Sequence, residues 1–123
     1  MAIAIDVMKG GLSAGTAKAM GGQVQNAVSA AGTTLATATA LTASMNRIST
    51  VGASSGVKLP AGMMPCDSVV VFNAGANLLT VYPPRSTVAI NQLSAGTGMS
   101  LPMQTGALIY MSTSTQLIAF LSA

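Results

Sequence analysis

The segment Val69-Val70-Val71-Phe72-Asn73-Ala74-Gly75-Ala76-Asn77-Leu78-Leu79-Thr80-Val81-Tyr82-Pro83-Pro84 decides the fold class. Two runs rich in Val, Leu, Thr and aromatic residues flank a short stretch of Asn, Ala and Gly, and such side chains suit a pleated surface. Residues 73–77 are of the types that tolerate positive φ, so the reading is a β-hairpin with its turn there. Pro83 and Pro84 have no N–H for a ladder, which ends the second strand at Tyr82.

The same pattern extends outward from this hairpin. Short β-prone segments are expected at 36–43, 46–51, 68–73, 78–82, 87–91, 98–103, 107–112 and 116–121, with turn-forming residues between them. Met99, Leu101 and Met103 alternate with Ser100, Pro102 and Gln104, which marks one buried face, and Pro102 makes that an edge or interrupted strand. Residues 69–72 and 117–121 are apolar on both faces, as in the centre of a two-layer core or at a subunit interface. The expected fold is all-β: a small antiparallel β-sandwich or barrel-like domain over residues 35–123, preceded by an extended N-terminal arm at 1–34.

The arm is rich in Gly, Ala, Ser, Thr and Gln, and Gly10-Gly11 and Gly21-Gly22 interrupt regular structure. Met20, Val24 and Val28 recur at four-residue spacing, which suggests a short helix around 23–31. Two readings of the arm stay open, a plain tail or a segment that orders against a neighbouring subunit. In the second, Ile3, Ile5 and Val7 alternate as a strand able to join another chain's sheet. An acid, Asp6, stands where a secretory signal carries basic residues, so export by that route is not expected.

Charged residues form 6% of the 123-residue chain, against roughly 25% in an ordinary domain, so charge cannot cover its surface. Four aromatics and nine methionines give a core of modest burial per residue. Burial at roughly 25 cal/mol per Å2 has to offset about 1 kcal/mol or more of backbone entropy per ordered residue, and oligomerisation is the simplest remedy. Every apolar run is broken well short of the roughly 18 residues that a spanning helix needs, so no membrane partner is expected. The cations Lys9, Lys18, Arg47, Lys58 and Arg85 are scattered without interleaved aromatics, which argues against nucleic acid.

Catalysis is unpromising by elimination. There is no His, and the only acidic side chains are Asp6 and Asp67. A Ser-His or Cys-His pair and an imidazole metal ligand are therefore missing from the sequence, and the neighbours of the two acids give no sign of a paired acid/base site. Cys66 and Asp67 are too few for a metal site, and the Gly-rich stretch at 10–15 lacks the Lys-Ser/Thr of a phosphate loop. The expectation is a non-enzyme with no cofactor, no metal and no small-molecule substrate. Cys66 reads as a small buried or half-buried hydrophobe. Lys58 and Arg85 read as loop charges or as contacts to another subunit. Asn73, Asn77 and Asn91 read as turn and cap residues bonding the local backbone. The candidate assembly contacts are Ile3, Ile5, Val7, Lys58, Arg85, Leu117, Ile118 and Phe120.

The stretches 36–43, 46–51 and 56–60, then Val-Val-Val-Phe-Asn-Ala-Gly-Ala-Asn-Leu-Leu-Thr-Val-Tyr-Pro-Pro at 69–84 and Ile90-Asn91, together resemble a small β-domain of tailed-bacteriophage virion proteins. The likeness covers about residues 36–123. It departs at the C-terminus, where related sequences carry Thr-Gln-Trp and this chain has Thr115-Gln116-Leu117. The resemblance implies a virion part, either a capsid decoration (cement) protein, homotrimeric and bound to the major capsid protein on the capsid surface, or a tail, collar or fibre component that recognises host glycans. Assembly would then take place in the host cytoplasm. A non-viral self-assembling protein is the reading left if the likeness is chance.

Overall fold

The computed structural model describes residues 23–122. Ten strands are formed: β1 (Val24–Ser29), β2 (Thr39–Ala40), β3 (Met45–Thr50), β4 (Gly56–Lys58), β5 (Ser68–Asn73), β6 (Leu79–Tyr82), β7 (Ala89–Ile90), β8 (Met99–Leu101), β9 (Gly106–Thr113) and β10 (Gln116–Leu121). They build a six-stranded sheet in the order β1-β3-β5-β9-β10-β7 and a four-stranded sheet in the order β2-β4-β6-β8. The described residues are all-β, as the sequence predicts.

From β1 to β9 successive strands alternate between the sheets. β1, β3 and β5 stack in parallel in one, β2, β4 and β6 stack in parallel in the other, and the chain winds between them as a three-turn coil. β8 then adds antiparallel to β6, β9 antiparallel to β5 and β10 antiparallel to β9, while β7 lies parallel to β10. Five of the eight pairings are parallel. The stacking is solenoid-like, which corrects the expected antiparallel sandwich or barrel.

The core lies between the two sheets. Ile48, Val71, Ile109 and Leu117 from one sheet meet Val57, Leu79, Val81 and Leu101 from the other, each at 0% exposure. In β5 the period-two rule places Val69, Val71 and Asn73 inward and Val70 and Phe72 outward. The expected hairpin at 69–82 is absent. β5 and β6 belong to different sheets, so 73–77 is an arch that carries the chain across the core edge. None of its residues has positive φ. Gly75 is needed for close approach, because a Cβ there would lie 2.6 Å from Val51 Cγ2 and 2.9 Å from the Val51 backbone nitrogen.

Asn73 closes this arch from inside. Fully buried, it donates from Nδ2 to the carbonyls of Asn77 (2.8 Å) and Leu101 (2.9 Å) and accepts from the Gly75 N–H (3.0 Å). Asn77 donates to the Val51 carbonyl at 2.8 Å, tying the arch to the preceding turn of the coil. Asn91, at φ 51°, donates to the Ala119 carbonyl and accepts the Ala119 N–H. Only Asn73 bonds the local backbone as expected; the Asn77 and Asn91 amides bond backbone 26 and 28 residues away, because the first ties neighbouring turns of the coil together and the second ties the end of β7 to β10.

The short helix expected around 23–31 is replaced by β1, paired in parallel with β3 through an irregular register between Gln25 and Ser29. The free edge of β3 supplies ladder partners that a helix would leave unused, and Arg47 donates to the Asn26 carbonyl at 3.2 Å. Residues 23–34, assigned to the arm, thus pack with the sheets from β1 onward. The strand expected at 36–43 shrinks to Thr39–Ala40, because Thr34 accepts the Thr37 and Ala38 N–H groups in a turn. β8 is an edge strand that stops before Pro102, and β6 stops before Pro83, both as expected.

Candidate assembly surface

The outer face of the six-stranded sheet is the most distinctive surface of the described residues. Cross-strand register aligns Val24 with Met45, Met45 with Val70, Val70 with Leu108 and Leu108 with Phe120. An apolar row therefore runs across five adjacent strands. Residues that face each other across a ladder point to the same side, so the row is one surface. Val24, Met45, Leu108 and Phe120 are 59, 44, 45 and 57% exposed, and Val70 is half-buried.

Other apolar side chains widen the row. Tyr110 pairs with Ile118 one step along β9 and β10, and the Tyr110 and Phe120 rings stack with centroids 6.0 Å apart. Phe72 lies beside Arg47 in register, and Arg47 leans to the β1 edge to reach the Asn26 carbonyl. Arg47 is the only charged residue on the described strands of this sheet.

The expected contact residues fall in three groups. Ile3, Ile5 and Val7 lie outside the described residues. Ile118 and Phe120 stand on the outer face, half-buried and exposed respectively. Leu117 does not join them: it points into the core at 0% exposure, a correction that follows from alternation along β10. Lys58 is half-buried on the outside of the other sheet, in register with Tyr82.

Arg85 is turned inward on its own chain. Its guanidinium donates to the carbonyls of Ala61 (2.8 Å), Met63 (3.4 Å) and Ser114 (3.5 Å), so it clamps two loops rather than reaching for a neighbour. Missed by sequence reading were Val24, Met45, Val70 and Leu108. The run Ala107-Leu108-Ile109-Tyr110-Met111, apolar on both faces, was the signal available for the last of these.

The remaining surface offers little for chemistry. No group of three or more His, Cys, Asp or Glu residues able to hold a metal occurs among the described residues. Cys66 is exposed, not buried as expected, and sits at φ 80° in a turn where Asp67 Oδ2 accepts the Met64 N–H at 2.9 Å. A shallow depression of about 370 Å3 is lined by Thr33, Ala53, Ser54, Asn77, Leu78, Thr80 and Tyr82, all uncharged. Tyr82 spends its hydroxyl on the Thr33 carbonyl at 2.8 Å. No protein-family profile, no curated protein and no solved structure matches this chain.

Proposed function

We propose that this chain is a structural component of a tailed-bacteriophage virion, a capsid decoration protein that self-associates and bridges capsomers on the head surface. The observation that carries the reading is the apolar row from Val24 to Phe120, a surface suited to protein contact, on a molecule with two acidic side chains and no His. The family resemblance at 69–84 supplies the viral setting. Mechanistically the protein works by avidity: an oligomer engages several capsomers at once, so modest individual contacts combine into firm attachment. The partners are further copies of the chain and the major capsid protein, and the site of action is the capsid surface after assembly in the host cytoplasm. The sequence reading favours a trimer; a face that packs on itself favours pairs.

A second reading has one specific observation behind it. The depression beside Tyr82 combines an aromatic ring with the hydroxyls of Thr33, Ser54 and Thr80 and the Asn77 amide, chemistry that suits a neutral glycan on a tail, collar or fibre protein. Copy number separates the two. Quantitative mass spectrometry of purified virions is expected to find the chain in hundreds of copies per particle, with cryo-EM density outside the shell. A few dozen copies or fewer, confined to the tail, would transfer the assignment to the second reading, and absence from the particle would end both.

A further inference from the structure

We infer that the outer face of the six-stranded sheet is the seat of a second copy of this chain, packed sheet against sheet about a twofold axis. The inference rests on the self-association in the proposed function and names its surface and symmetry.

Area is the first argument. With Val24, Met45, Leu108 and Phe120 between 44 and 59% exposed, and Val70, Phe72, Tyr110 and Ile118 half-buried around them, the face holds several hundred Å2 of apolar surface. That matches the largest patches monomers ordinarily tolerate, and over two copies it reaches about the 1,000 Å2 at which specific interfaces begin.

Register is the second. Sheets stack face to face at about 10 Å with side chains interleaved. An axis running along the strands between β5 and β9 lays β3 over β10 and β5 over β9. Met45 then covers Phe120, thioether against ring, and Val70 covers Leu108. The face thus supplies its own complement, and an isologous contact of this kind closes at two.

Charge is the third. The same axis carries the second Arg47 to the opposite flank, so the one charge on the described strands of each face does not meet its copy. One guanidinium already bonded to the Asn26 carbonyl gives an acidic partner little to read, whereas an apolar copy of the same face needs no charge.

Sedimentation velocity of the full chain over a wide concentration range tests this. The wild-type protein is expected to show dimer mass. Leu108→Glu and the milder Phe120→Ser are expected to weaken association about tenfold or more, with unchanged far-UV circular dichroism. Met64→Glu, at an exposed loop position outside the strands of that sheet, is expected to leave association unchanged. Oligomers that both face variants leave intact would overturn the assignment while sparing self-association, and would reassign the face to the shell if those variants lose capsid binding. A trimer would overturn the twofold pairing. A wild-type monomer at every concentration would overturn the pairing and self-association together.

Discussion

Asn73 and Leu101 are joined by a 2.9 Å hydrogen bond from the buried Asn73 amide to the Leu101 carbonyl, across 28 residues of sequence. Asn73 ends β5 in the six-stranded sheet and Leu101 ends β8 in the four-stranded one, so a single side chain pins the two sheets together at the mouth of the arch. Its other contacts, to Asn77 and Gly75, fix the arch itself.

Asn73→Ala is therefore expected to destabilise the fold by about 2–4 kcal/mol, since it leaves buried donors and acceptors without partners and opens a small cavity. Asn73→Asp keeps the volume and loses the Nδ2 donor, and is expected to cost a similar amount. Urea unfolding followed by circular dichroism measures both; a loss under about 0.5 kcal/mol for either would remove Asn73 from this role.

Gly75→Ala tests close approach as opposed to backbone freedom. The added methyl would meet Val51 Cγ2 at 2.6 Å and its backbone nitrogen at 2.9 Å, and the backbone cannot yield cheaply. A loss of about 1–3 kcal/mol is expected. Gly62→Ala, where nothing lies within 4 Å, is expected to be neutral or stabilising by a few tenths of a kcal/mol, up to about 1. Thermal melts of the two variants side by side decide the matter.

The strands readable from sequence are those whose signal is local. β5 and β10 fall at 68–73 and 116–121 as expected, because a valine run and an apolar stretch bounded by turn residues need no distant partner to be recognised. β1 and β4 were missed for opposite reasons. β1 is half polar, nearly all exposed, and exists because β3 offers it an edge. β4 begins at Gly56, a turn signal by composition, yet that glycine makes room for Tyr82, whose ring would lie 2.8 Å from an added Cβ. A hairpin and an arch use the same Asn-Ala-Gly-Ala-Asn residues, and what separates them is the long-range bond of Asn73 to Leu101. The site was half legible: residues 117–121 read as apolar on both faces, but that pattern alone does not say that Ile118 and Phe120 face out and Leu117 in.

Arg85 is expected to act as a loop clamp. Arg85→Lys retains the charge but cannot span the Ala61, Met63 and Ser114 carbonyls with one ammonium, so the loss should approach that of Arg85→Ala, about 1–2 kcal/mol. Hydrogen exchange should quicken around residues 61–67 in both variants while the central strands keep their protection. Full protection of that loop in Arg85→Lys would show that charge alone suffices.

Leu117 and Phe120 share β10 and face opposite ways, which allows folding and assembly to be separated on one strand. Leu117 is fully buried among the core residues, so Leu117→Ala is expected to cost about 2–5 kcal/mol in dilute protein, where association contributes nothing. Phe120 keeps more than half its surface exposed and stacks on the Tyr110 ring, so Phe120→Ala should cost less than about 1.5 kcal/mol under the same conditions. At high concentration the order of effects should reverse in the association constant: Phe120→Ala weakens pairing directly, while Leu117→Ala leaves the outer face of the folded fraction untouched. Equal losses of folding stability for the two would mean that Phe120 belongs to the core of the monomer and that the outer face is not free to pair.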